Sequence, residues 1–209
     1  MTKEISTTLT ALGVPVADIE AARLGAYLDL LERWNQVHNL TAVKDRGAMI
    51  ERHVGESLAL RPALRGQRIA DVGSGAGLPG IPLAIVEPER QFTLIESRAK
   101  RAAFLRHAKT ELALGNVDVI EARVEDLRDA APFDTVLARA VASLPDVARL
   151  AGHLLDARGI MLVPTKADFA AEAGEVDREF RVQRLEPAGR GVLKGALVAI
   201  ERAACRNGG

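Results

Sequence analysis

The sequence predicts an α/β fold: a Rossmann-like, mostly parallel sheet of seven strands with an antiparallel last strand, set behind an N-terminal helical region. Three observations carry this reading. From Arg68 onward, short apolar runs alternate with helical segments, the pattern of a parallel sheet with helices on both faces. The first of those runs leads directly into a loop with glycines at 73, 75, 77 and 80. The last two runs are joined only by Glu186–Gly195, too short for a helical crossover, so those strands should be antiparallel neighbours.

The elements follow in order. Residues 1–66 read as helical and 67–209 as the α/β domain. Val16, Ile19, Leu24, Tyr27, Leu28, Leu31 and Trp34 recur at spacings of three, four or five, as on one apolar helix face. Pro15 suits the first turn of that helix, and Asp18 and Glu20 suit the positive end of its dipole. Trp34 is expected to pack the helical region on the sheet. A second helical stretch should follow Asp45, which can cap it, and Arg61-Pro62 closes the region. Strands are expected at Arg68–Val72, Gln91–Ile95, Val117–Glu121, Thr135–Ala138, Ile160–Val163, Arg181–Leu185 and Ala196–Ile200. The clearest helix between them is Ser97–Leu114, with Ser97 as N-cap and Gly115-Asn116 as its stop.

Composition narrows the function classes. The chain has 209 residues, of which 48% are hydrophobic, enough for a real core. Aromatics are only 3%, so platforms that stack successive bases are not expected. The 28 basic residues balance the 28 acidic ones, which argues against coating nucleic acid by net charge and leaves room for a local basic patch. The one cysteine, Cys205, permits no intrachain disulfide and no Cys-rich metal site. No apolar stretch resembles a signal peptide or a membrane span. A cytoplasmic monomer without a metal and without membrane attachment is expected.

The glycine loop is the sharpest signal. Asp71-Val72-Gly73-Ser74-Gly75-Ala76-Gly77 has the D-x-G-x-G-x-G form that suits S-adenosylmethionine (AdoMet) at the end of a first strand. Glycine lets the backbone turn with positive φ and lets a ligand approach without a Cβ in the way. Ligands of open α/β sheets bind outside the carboxyl ends of the strands. A dinucleotide site competes, because Gly75-Ala-Gly77-Leu-Pro-Gly80 also satisfies G-x-G-x-x-G. Pro79 and Pro82 count against it: they remove N–H groups that a pyrophosphate would need and that AdoMet, lacking phosphate, does not. Glu96 ends the second strand, where a carboxylate can accept both ribose hydroxyls. Val124 and the backbone at Glu125, after the third strand, are candidates to hold the adenine. Arg139, at the end of the fourth, is a candidate for the methionine carboxylate or for the substrate.

With these residues assembled, the chain resembles the bacterial 16S ribosomal RNA guanine-N7 methyltransferases, the RsmG or glucose-inhibited division protein B family of class I AdoMet-dependent methyltransferases. The resemblance runs through Trp34-Asn35-Gln-Val-His-Asn39-Leu40-Thr41, Arg52-His53, Glu56-Ser57-Leu58, Asp71–Pro82, Glu96–Arg101, Phe104-Leu105 and Arg139-Ala140. Glu56 departs from it conservatively, since the family often has Asp there. The resemblance implies S-adenosyl-L-methionine as cofactor, with Gly73, Leu78, Val124, Glu125 and Arg139 as contacts, Glu96 near the ribose, and Gly75 and Gly77 in the same loop. It implies methyl transfer to N7 of a guanine in 16S ribosomal RNA, free or in the small ribosomal subunit. A methyltransferase of another RNA, a protein or a small molecule is the alternative.

N7 carries an in-plane lone pair and no proton, so no catalytic base is nominated. A guanine inside an A-form helix hides N7 in a deep, narrow groove, so the target should be an unpaired base. Two basic segments are candidates for the RNA. Arg98, Lys100, Arg101, Arg106 and Lys109 lie in a stretch with no acid, and Arg181, Arg184, Arg190 and Lys194 flank the last hairpin. Arg98, Lys100, Arg101, Arg190 and Lys194 are the leading RNA contacts. For His38 and His53 a structural role is the stronger expectation.

Overall fold

A computed structural model describes residues 2–139, 143–166, 169–189 and 191–203. Arg190 and Cys205, singled out above, lie outside the described residues, as does Ala140. The helices are α1 (Thr2–Ala11), α2 (Asp18–His38), α3 (Arg46–Met49), α4 (Glu56–Leu58), α5 (Gly80–Val86), α6 (Ala99–Glu111), α7 (Leu144–Ala151) and α8 (Phe169–Ala173). The strands are β1 (Arg68–Val72), β2 (Gln91–Ile95), β3 (Val117–Ile120), β4 (Phe133–Ala138), β5 (Leu155–Thr165), β6 (Phe180–Leu185) and β7 (Ala196–Arg202).

The seven strands form one sheet in the order β3-β2-β1-β4-β5-β7-β6. β1 to β5 are parallel, and β7 runs antiparallel to both β5 and β6. Strand order therefore reverses between β1 and β4, the switch point where such sheets open a crevice at their carboxyl ends. Alternation along β1 divides the core. Ile69 faces the layer built from α1, α2, α5 and α6, while Ala70 and Val72 face the layer of α7 and its neighbours. Burial on both faces is why successive residues are apolar in both strands, at Ile69-Ala70 in β1 and Val136-Leu137-Ala138 in β4. The N-terminal helices contribute Ile5, Leu9, Leu24 and Leu28 to the same apolar cluster as Ile69 and Leu94 of the sheet.

Every expected strand is present, with ends that differ by a few residues. The helical details differ more. α2 starts at Asp18, capped by Glu20, whose carboxylate accepts from the Ala17 N–H at 2.7 Å, so Pro15 lies outside it. Ile19 is 70% exposed, not on the buried face. Its spacing of five to Leu24 rotates it about 140° away from that face. Ser97 is not an N-cap: α6 begins two residues later, and the N-cap residue is Arg98, whose own N–H goes to Glu96 at 2.8 Å. That helix also stops before Gly115, through a left-handed Ala113 at φ 48. Trp34 packs α2 onto α6 rather than onto the sheet itself, its ring 5.5 Å from that of Phe104. Asp45 caps α3 as expected, accepting from the Ala48 N–H at 2.8 Å.

Between α3 and α4 the helical run widens into a π-helix, Ile50–Gly55. The turn that leads into it is built by side chains. Asn39 adopts a left-handed conformation at φ 49, and Asn35 Oδ1 accepts from the Thr41 N–H at 2.9 Å. Thr41 Oγ1 meets His53 Nε2 at 2.8 Å. Among the described residues, no helix is long and apolar enough to cross a membrane. Nor does any group of three or more His, Cys, Asp or Glu among them suit a metal ion.

Candidate active site

The crevice is built on the glycine loop, and its three leading glycines differ in environment. Gly73, Gly75 and Gly77 all have positive φ, at 68, 58 and 83°. Gly73 is exposed at the mouth of the crevice. A Cβ on Gly75 would find nothing nearer than the Gly73 carbonyl at 3.7 Å. Gly77 is buried, and a Cβ there would stand 2.4 Å from Ile81 Cδ1. A Cβ at Gly75 would thus meet only ordinary contacts, while Gly77 leaves the space into which α5 packs. Leu78 is half-buried against the core at the loop's end.

Three side chains hold the loop. Glu96, 4% exposed, accepts from the Gly75 N–H at 2.9 Å through Oε2 and from the Arg98 N–H at 2.8 Å through Oε1. Each carboxylate oxygen keeps a second lone pair for a ribose hydroxyl. Asp71 shares the face of β1 with Ile69 and accepts from the Gly80 N–H at 3.0 Å. Burial pushes its carboxyl up to about 7, against the opposing pull of the Gly80 and Ser74 hydrogen bonds and of the Arg139 charge. The Tyr27 hydroxyl, fully buried on α2, donates to the Ala76 carbonyl at 2.7 Å, and burial raises its pKa. Asp71 opens the D-x-G-x-G-x-G motif without a role assigned to its side chain, and Tyr27 was expected only on the apolar face of its helix. Asp71 was visible as an acid inside an apolar strand, whereas nothing in the spacing of Tyr27 distinguishes it from an ordinary core aromatic.

Val124 opens a short 3-10 turn after β3 and is buried, with Glu125 beside it half-buried. The parallel pairing of β2 with β3 sets this turn next to Glu96 at the carboxyl end of the sheet. Arg139 leaves the end of β4, across the switch point. Its Nη2 donates to Glu56 Oε2 at 2.6 Å and to the Arg52 carbonyl at 3.1 Å. Its Nη1 is buried without a partner among the described residues. Arg139 also contributes to holding His53 down at about 4, after burial as the larger cause, so that imidazole is neutral. On this side of the crevice lies a cavity of about 380 Å³ between the π-helical run, β4, the end of β5 and the last hairpin. Arg52, Glu56, Arg139, Thr165, Lys166 and Lys194 contribute to its walls.

The basic residues divide. Arg98 and Lys100 are exposed at the start of α6. Arg101 turns inward, with Nη1 3.9 Å from Glu96 Oε2. Arg106 pairs with Glu121 and Lys109 with Asp118, each at 2.9 Å, so the acid-free stretch is answered by acids from β3 and the residue after it. Lys194 is exposed on the opposite rim, in the wall of the cavity. Arg181 and Arg184 are exposed on the edge strand β6.

Comparison with known proteins agrees with this geometry. The model of a family described as rRNA small subunit methyltransferase G matches residues 20–194. A protein of Nitrosospira multiformis named ribosomal RNA small subunit methyltransferase G is 51% identical over 156 residues, covering 75% of this chain and 72% of that one. One of the same name from Yersinia pseudotuberculosis is 44% identical over 154 residues, covering 74% and 75%. Among solved structures, a mutant of MtNAS in complex with S-adenosylmethionine superposes with a TM-score of 0.60 at 19% identity, over 89% of this chain and 77% of that one. A methyltransferase from Geobacter sulfurreducens gives 0.56 at 14% identity, over 86% and 97%. The fold is that of the Rossmann-like methyltransferases, and the chain belongs to the rRNA small subunit methyltransferase G family.

Proposed function

We propose that this protein transfers the methyl group of S-adenosylmethionine to N7 of a guanine in 16S ribosomal RNA, acting in the cytoplasm on the RNA or on the small subunit. The observation that carries the reading is the pairing of a glycine loop tied to the buried Glu96 carboxylate with a cavity beside Arg139 across the switch point, within a chain of this family. The residues fit the cofactor. Gly73 and Gly75 leave backbone open to it, Glu96 keeps lone pairs for the ribose, and Val124 with Glu125 flanks the adenine. The unpartnered Nη1 of Arg139 suits the methionine carboxylate.

The cofactor supplies an electrophilic methyl on a positive sulfur. Guanine N7 attacks through an in-plane lone pair, so no protein group has to remove a proton. The work left to the chain is orientation: holding N7 and the methyl carbon about 3–3.5 Å apart and in line replaces a bimolecular encounter. The exposure of Arg98 and Lys100 at the start of α6 and of Lys194 in the cavity wall supports assigning them to phosphates flanking a base turned into the cavity. Incubation with labelled AdoMet should move label into 16S ribosomal RNA and not into a pool of small metabolites. Label in the metabolites alone would overturn the reading.

A further inference from the structure

The cavity beside Arg139 has a charge pattern that phosphate binding does not explain. Arg52, Arg139, Lys166 and Lys194 line it, and one carboxylate, that of Glu56, stands among them. An acid in a phosphate-binding wall repels its ligand. Arg139 alone does not account for it either: the pair uses one oxygen, Oε2, while Oε1 accepts from no described residue. The Glu56 side chain is only 14% exposed, and it is held in place by the 2.6 Å bond to Arg139. It follows directly on the π-helix Ile50–Gly55, a widened turn of the kind that concentrates at functional sites.

We propose that Glu56 reads the Watson–Crick edge of the target guanine, its carboxylate accepting hydrogen bonds from N1–H and from the exocyclic N2 amine. This rests on the reading of the protein as a guanine-N7 methyltransferase and names the residue that selects the base. Guanine is the one RNA base whose Watson–Crick edge presents two adjacent N–H donors, the complement of a carboxylate. Adenine and cytosine offer an amine beside a bare ring nitrogen, and uracil offers one N–H between two carbonyls. A carboxylate has about four lone-pair positions, so the bond to Arg139 leaves enough for both donors. N1 and N2 lie on the pyrimidine ring and N7 on the far side of the imidazole ring, so a base gripped at this edge presents N7 away from Glu56. Arg139 is a positioning residue here, since it fixes the carboxylate before the base arrives.

The test compares guanosine with inosine, which keeps N7 and N1–H and lacks only the N2 amine. 16S ribosomal RNA is ligated to carry either nucleoside at the mapped target and presented both free and in reconstituted small subunits. Loss of one charge-assisted hydrogen bond should lower kcat/KM for inosine by about tenfold or more in the wild type. Glu56→Gln, which turns one acceptor into a donor, should bring the guanosine-to-inosine ratio close to one, a ratio that a general loss of AdoMet binding through Arg139 would leave unchanged. Equal wild-type rates on the two substrates would overturn the proposal, as would a ratio preserved in Glu56→Gln. If that variant does not fold, Glu56→Asp decides: drawing the oxygens back by one methylene should narrow the ratio, and an unchanged ratio overturns the assignment. A wild-type protein that methylates neither substrate at N7 would refute the underlying function instead.

Discussion

Replacing Glu96 by Gln tests how the site is assembled. Both of its oxygens accept backbone hydrogen bonds, from Arg98 at 2.8 Å and Gly75 at 2.9 Å. A glutamine can satisfy only one of these. Its amide nitrogen, whichever way it is placed, faces an N–H donor. A hydrogen bond to a charged group contributes about 1.5–3 kcal/mol, and a buried donor left unsatisfied costs about 1–3 kcal/mol. The empty variant should therefore lose about 1–3 kcal/mol of stability, and Tm should fall by about 2–4 °C for each of them. With the ribose on Glu96, as proposed, AdoMet binding would lose its charged acceptor and the ordered Gly75 together. Since 1.4 kcal/mol is a factor of ten, its Kd should rise about ten- to hundredfold. Calorimetric titration with AdoMet and scanning calorimetry on the same preparation read both quantities. A variant that binds AdoMet within twofold of the wild type would refute the placement of the ribose on Glu96. One with unchanged Tm would refute its role in holding the loop.

Three further outcomes are expected. The folded-state pKa of Asp71, about 7, lies above its ordinary 3.8, so the folded protein holds a proton that the unfolded chain has released. Stability then falls as pH rises from about 4 to about 7 and levels off above that. Asp71→Asn keeps an acceptor for Gly80 and lacks this term, so across that window it should gain on the wild type by up to about 1.4 kcal/mol per pH unit; a constant difference in denaturation between pH 5 and pH 8 would contradict this. Gly77→Ala should destabilise more than Gly75→Ala. Both have positive φ, costing about 1–2 kcal/mol, but only at 77 does the new Cβ meet Ile81 at 2.4 Å; equal losses of Tm would remove the packing argument. Neutralising Arg98 and Lys100 to Gln should leave AdoMet affinity nearly intact and flatten the salt dependence of RNA binding by about 1.4 in log–log slope, for two contacts to single-stranded RNA. An unaltered slope would take this rim away from the RNA. Arg101 is left out of that variant because its guanidinium lies beside Glu96.

The sheet was legible because strands buried on both faces are short and mostly apolar, and β1 and β2 have the bounds that their apolar stretches suggest. The antiparallel end followed from the length of one connection. Helix ends were read less well, since they depend on where side chains reach across space. Ser97 has the chemistry of a cap, yet the Glu96 carboxylate supplies the first acceptor of α6. The candidate site residues on strand ends, Glu96 and Arg139, could be nominated because topology fixes where strand ends point. Tyr27 and Glu56 could not, because they come from helices that precede the glycine loop and reach it and Arg139 only through tertiary structure. The motif from Trp34 to Thr41 was recognised as a resemblance, and its physical content emerged only with the fold. Asn35, Asn39 and Thr41 build the turn that delivers the π-helix, and with it Glu56, to the cavity.

The most direct test of the central claim is to map the modified base. Small-subunit ribosomal RNA is isolated from cells lacking this protein and from the same cells with it restored, and N7-methylguanine is located by cleavage at borohydride-sensitive sites and by mass spectrometry of the fragments. One N7-methylguanine in 16S ribosomal RNA, absent without the protein and restored by the wild type but not by a variant unable to bind AdoMet, is the predicted result. Identical N7-methylguanine patterns in the two strains would contradict the account.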